Sequence, residues 1–84
     1  MSYYTYALLS AEGFHYTGHT SNLDTRLLRH QLHTTHYTKK GSKWKLMYSK
    51  EFESRSQAMQ HEKWLKSGIG RVWLKNNVTG WSPP

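Results

Sequence analysis

Eighty-four residues are enough for one domain and not two, and a chain of that size buries only a limited core. Twelve Lys and Arg against five Asp and Glu leave a net charge of +7, an excess that favours polyanionic partners through counterion release. The absence of cysteine excludes disulfides and thiolate metal sites. No apolar run approaches the roughly 20 residues that a membrane span needs, and the first ten residues lack the basic and small-residue marks of a signal peptide. A cytoplasmic location and no membrane partner are therefore expected.

Tyr3 to Ser10 is aromatic and β-branched before two leucines, and reads as a strand. Ala11-Glu12-Gly13 is a turn, and Phe14 to Thr17 the returning strand. A three-residue loop sets Ser10 opposite Phe14, so that Tyr4, Tyr6, Leu8, Phe14 and Tyr16 share one face. Ser21-Asn22-Leu23-Asp24 resembles a capping box and predicts a helix to about Leu32, with Leu23 and Leu27 facing the core. Arg26 and His30, also four apart, lie beside that stripe.

Residues 33–42 are polar and read as a loop. Lys43 to Phe52 alternates, with Trp44, Leu46, Tyr48 and Phe52 on one side and Lys43, Lys45 and Glu51 on the other. Ser54-Arg55-Ser56-Gln57 is a second capping box, opening a helix that carries Ala58, Met59, Glu62, Leu65 and Lys66 on one arc. Gly68 and Gly70 punctuate, and Arg71 to Asn77 forms a last short helix. The order β-β-α-β-α-α predicts an α+β fold, a small three-stranded antiparallel sheet flanked by helices. One domain is expected over residues 1–78, with 79–84 a flexible tail.

Glu62 is the most informative residue, because a carboxylate on an apolar arc is costly to bury without compensation. It either pairs with Arg26 or a lysine, or it binds a hard divalent cation. Magnesium takes oxygen ligands, keeps several waters and often uses one or two carboxylates, which suits a chain with five acids. His30, His33 and His36 recur at three-residue intervals without the spacing of a structural zinc site.

Tyr6 and Tyr16 are either core tyrosines or phenols that orient or deprotonate a water; the second role needs a nearby cation, which Arg26 supplies, since a free phenol titrates near 10. The planar fork of Arg26 also suits a phosphate oxygen. His30, one turn on, is either a surface histidine at the helix end or a group that shuttles a proton or binds phosphate. Lys39, Lys40, Lys43 and Lys45 cluster around the loop and third strand, and track a nucleic-acid backbone if they are more than a solvated face.

Taken together, these blocks resemble the GIY-YIG endonuclease superfamily, and within it the short stand-alone, UvrC-like amino-terminal-domain members. Tyr4-Thr5-Tyr6 looks like the GIY slot and Tyr16-Thr17-Gly18 like the YIG slot; Arg26-Leu27-Leu28-Arg29-His30, Trp44-Lys45-Leu46 and Glu62-Lys63-Trp64-Leu65-Lys66 follow in order. The chain departs from the pattern at Tyr4, where glycine is usual, and at Thr17, where isoleucine is usual.

The resemblance implies that Tyr6 and Tyr16 line the site, Arg26 binds the scissile phosphate, His30 assists and Glu62 holds the metal. It further implies that Gly18 allows close backbone approach, that His19 contacts phosphate or water, and that Asn76 or Asn77 supports the site. The expected activity is hydrolysis of DNA phosphodiester bonds with one Mg²⁺ or Mn²⁺. Single-stranded or structured DNA is preferred to plain duplex, because exposed aromatics stack on unpaired bases. RNA and oligomeric state are left open. The alternative is a catalytically weak nucleic-acid-binding module on the same fold.

Overall fold

The computed structural model describes residues 2–31 and 43–81. Strand β1 (Tyr3–Leu9) is followed by β2 (His15–Thr20), helix α1 (Leu23–Gln31), β3 (Lys45–Phe52), α2 (Arg55–Lys66) and α3 (Gly68–Asn77). The strands form one antiparallel sheet in the order β2-β1-β3. The α+β class and the element order expected from the sequence both hold.

The hairpin closes in the expected register. Ser10 N donates to Phe14 O at 2.9 Å, and Leu8 stands opposite Tyr16. Gly13 takes φ of +93° in the turn, a conformation that costs glycine little because it has no Cβ. Side chains alternate across the sheet, so β1 builds two cores. Tyr6 and Leu8 pack with Trp44, Tyr16, Leu23 and Leu27 on the α1 side. Ala7 packs with Leu65, Leu74 and Trp81 on the other side, where α2 and α3 cover the sheet. Thr5 on that side donates its hydroxyl to the Ala58 carbonyl at 2.6 Å, pinning α2 to the central strand.

Strand β3 departs from simple alternation. Tyr48 pairs with Ala7, but Leu46 pairs with Leu8, which leaves Met47 as an extra residue. A bulge of this kind reverses the facing of everything beyond it. Trp44 accordingly joins the α1-side core, whereas Tyr48 packs against the α2/α3 core. Sequence alternation had grouped Trp44, Leu46, Tyr48 and Phe52 on one face.

The first helix begins one residue later than its capping box suggested. Asn22 Oδ1 accepts from Thr25 N at 3.1 Å, and Thr20 Oγ1 accepts from Asn22 N, so Asn22 is the cap and Ser21 is exposed. Ser54 caps α2 as expected, its Oγ accepting from Gln57 N at 3.2 Å. Helix α3 starts at Gly68, earlier than expected, because Ser67 caps it through Gly70 N. Gly70 there allows a close approach: a Cβ would lie 2.0 Å from the Trp64 carbonyl oxygen. Trp81, expected in a loose tail, is only 9% exposed and stacks on His15 with ring centroids 4.5 Å apart; residues 82–84 lie outside the described chain.

Candidate functional site

The hairpin and α1 bring Tyr6, Tyr16 and His30 into one cluster. Tyr6 lies on the central strand opposite Gly18. A Cβ at Gly18 would sit 3.0 Å from the Tyr6 hydroxyl oxygen and 3.0 Å from a ring carbon of Tyr16, so the missing side chain is where the phenols fit. The tyrosine rings are 6.0 Å apart, and the His30 ring lies 4.6 Å from that of Tyr16. His30 Nε2 and the Tyr6 hydroxyl are 2.9 Å apart.

Burial sets the charge states of this cluster. His30 is 0% exposed; desolvation and then the nearby Arg26 charge push its pKa down to about 4. The imidazole is therefore neutral at physiological pH. The Tyr6 phenol is pushed well above its ordinary value, chiefly by burial and then by the neighbouring Tyr16. Arg26 pulls the other way, as the sequence suggested, but burial outweighs it. Tyr6 is thus no standing phenolate at neutral pH.

Glu62 approaches from the other face of the sheet. It projects from α2 toward the edge strand β2, where its Oε1 accepts from His19 Nδ1 at 2.6 Å and its Oε2 from Lys66 Nζ at 2.6 Å. Burial works against the charged form, but the hydrogen bonds from Lys66 and His19 outweigh it and hold the carboxyl below its usual range. Because an ionised carboxylate only accepts, His19 carries its proton on Nδ1. Glu62 meets the phenols through its field, which reaches Tyr6, rather than through a hydrogen bond.

The other sequence-predicted residues divide. Lys43 and Lys45 are exposed at the start of β3, Lys43 with φ of 52°, while Lys39 and Lys40 lie outside the described residues. Asn77 donates its amide to the Trp73 carbonyl of its own helix at 2.8 Å, and Asn76 is exposed; neither hydrogen bond nor ring contact ties them to Tyr6 or Glu62. Lys66 was noted on the arc of α2 without a role, although its i, i+4 spacing from Glu62 is the signature of an ion pair. A second polar contact, Tyr48 hydroxyl to His61 Nε2 at 2.8 Å, lies under α2 and was not foreseen.

Residues 2–76 match the family model of the GIY-YIG catalytic domain. The chain belongs to the GIY-YIG family. It is 40% identical over 67 residues to a UPF0213 protein of Limosilactobacillus reuteri, a match spanning 76% of this chain and 70% of that one. A UPF0213 protein of Natronomonas pharaonis is 35% identical over 77% of this chain and 78% of its own. Among solved structures, the solution NMR structure of a UPF0213 protein from Bacillus halodurans is similar with a TM-score of 0.56 and 28% identity, over 99% of this chain and 89% of that one.

GIY-YIG is a nuclease family, and the two slots read from the sequence lie on adjacent strands of the hairpin, with Tyr6 of the first opposite Gly18 of the second. Members of the family generally use divalent ions. Among the described residues no group of three or more His, Cys, Asp and Glu could cage one. What the described residues offer is one ionised carboxylate, Glu62, its side chain 18% exposed beside a Lys66 that is 54% exposed, a donor that would suit an ion keeping most of its waters. No helix among the described residues is long and apolar enough to cross a membrane.

Proposed function

We propose that the protein is a metal-dependent endonuclease that hydrolyses DNA phosphodiester bonds. The observation that carries the reading is the union of a neutral, fully buried His30 with the Tyr6 hydroxyl, beside Arg26 and within the field of an ionised Glu62. In the tautomer with Nδ1 protonated, His30 Nε2 accepts the Tyr6 proton, Tyr6 oxygen accepts one from the Tyr16 hydroxyl, and Tyr16, which is only half-buried, accepts one from an attacking water. The phenols then work as a relay and need no depressed pKa of their own. The Tyr16 ring packs against His30 and walls the path.

Arg26 offers its guanidinium to the non-bridging oxygens as charge builds on the phosphorus. Glu62 would hold one Mg²⁺ or Mn²⁺, with Lys66 turning outward to vacate Oε2 and His19 steadying Oε1. A bound ion there supplies Lewis-acid stabilisation of the departing oxygen. The exposed Lys43 and Lys45, with Lys39 and Lys40, add backbone affinity without sequence preference.

The test is incubation with single-stranded, nicked, flapped and plasmid DNA in Mg²⁺ or Mn²⁺. Cleavage is expected on at least one substrate, and Glu62→Ala should lower its rate by at least about a hundredfold while leaving DNA binding intact. Cleavage at the wild-type rate by Glu62→Ala, or none by the wild type in either metal, would remove the reading. One observation favours the second reading, a nucleic-acid-binding module on the same fold: both Glu62 oxygens already have cationic or hydrogen-bonding partners. That reading expects Glu62→Ala to lose stability instead of catalysis.

A further inference from the structure

A cleft of about 460 Å³ opens along β2, sharing only Tyr16 and Lys66 with the groups assigned to the reaction. Its volume falls in the range of sites that hold a small ligand or a single nucleotide. The floor is apolar, formed by Leu65 and Leu74, both buried, with the indole of Trp81. Phe14 stands at the mouth, 40% exposed although it is a large aromatic. Gly13, in the turn that precedes it, also lines the cleft. Among the described lining residues, Lys66 and Arg71 are the charged ones, and both are cationic.

We propose that this cleft is a subsite for one unpaired nucleotide of the DNA strand, its base on Phe14 over the Leu65–Leu74–Trp81 floor and its phosphate between Lys66 and Arg71. An apolar slot whose charged side chains among the described residues are two cations complements a flat aromatic base attached to a phosphate. A base still paired in a duplex presents its edge and cannot enter; a base in a single strand or flipped from a junction presents its face. Two residues join the cleft to the reaction centre: Tyr16 lines it from β2, and Lys66 lines it while its ammonium rests on Glu62. A strand seated there passes directly toward Glu62. This subsite rests on the nuclease reading for its strand direction but not for its ligand.

The experiment measures binding in EDTA, where no cutting occurs, using a fluorescein-labelled oligothymidylate, a hairpin duplex of equal length, and a single strand carrying 2-aminopurine. Phe14→Ala and Arg71→Glu are compared with the wild type and with Phe14→Tyr, each confirmed folded by circular dichroism. The expected result is single-strand affinity about tenfold weaker in Phe14→Ala and Arg71→Glu, restored in Phe14→Tyr, with duplex affinity less affected in Phe14→Ala. The 2-aminopurine emission should be quenched by the wild type and by Phe14→Tyr but not by Phe14→Ala. Wild-type single-strand affinity in both Phe14→Ala and Arg71→Glu, or a wild type that binds no single strand, overturns the subsite. If the wild type binds and quenches but cuts nothing in Mg²⁺ or Mn²⁺, the subsite stands and the nuclease reading falls.

Discussion

To act as the proton acceptor proposed above, His30 must be neutral, and its burial sets the pH range in which it is. An unperturbed histidine titrates near 6.5, whereas this one is pushed down to about 4 by desolvation and by Arg26. The acid limb of the kcat/KM profile should therefore fall well below pH 6.5; a midpoint at 6.5 would show that the titrating group is not the imidazole seen here. The same shift acts on stability. Between 6.5 and 4 the unfolded chain takes up a proton that the folded chain refuses, so stability is lost as pH falls through that window, by up to about 3 kcal/mol. His61, pushed down by burial and Lys50, adds in the same direction. Urea midpoints at pH 7 and pH 4.5 should differ accordingly, and by less in His30→Gln.

Single residues also mark how far the site could be read from the sequence. Tyr6, Tyr16 and His30 were legible as a group because strand alternation and helix periodicity each place them by short-range rules. The pairing of Glu62 with Lys66 was legible in principle, being four residues apart on one helix. The His19 contact was not, because it crosses 43 residues and depends on how α2 lies over the edge strand. Nor was the raised Tyr6 phenol, since burial and the Arg26 field oppose each other and only the packed molecule decides between them.

At the scale of elements, Gly70 governs how α3 leaves α2. Ser67 ends one helix, its N–H bonded to the Trp64 carbonyl, and caps the next. The turn is tight enough that a methyl at position 70 would press into the Trp64 carbonyl and the Leu65 Cα. Those are backbone atoms and cannot swing aside. Gly70→Ala should cost at least about 2 kcal/mol, seen as a lowered thermal midpoint, whereas Gly68→Ala, with nothing within 4 Å, should leave it nearly unchanged. From sequence, Gly70 read as punctuation; its contact is tertiary and leaves no local mark. The bulge at Met47 was hidden for a similar reason: β3 still alternates by composition, and only pairing to β1 reveals the extra residue. The hairpin register, by contrast, followed from a three-residue loop alone.

For the molecule as a whole, the core extends past the segment that the family model matches. The family match ends at residue 76, yet Trp81 closes the cluster of Ala7, Leu65 and Leu74 and covers His15. A chain of 84 residues has few large side chains to spare. Trp81→Ala should lower stability by about 3 kcal/mol or more, read as a shift in the urea midpoint. If it left the midpoint in place, residues 79–81 would be the loose end that the sequence suggested. Composition alone reads this stretch as loose because Thr79-Gly80 and the closing prolines outweigh one tryptophan in any local average.

The two ends of the candidate site differ in what they cost to lose. Tyr6 is wholly buried on the middle strand, where it floors the α1-side core, so the fold keeps a large ring at that position whether or not anything is cut. Glu62 is partly wet and held by two side chains that can let go. On the proposed reading, a chain that lost hydrolysis would keep its phenol for packing, while its acid would be left with only its contacts to His19 and Lys66. Position 62, far more than the tyrosine in the motif's name, is therefore where a loss of the proposed reaction would first be written into the sequence.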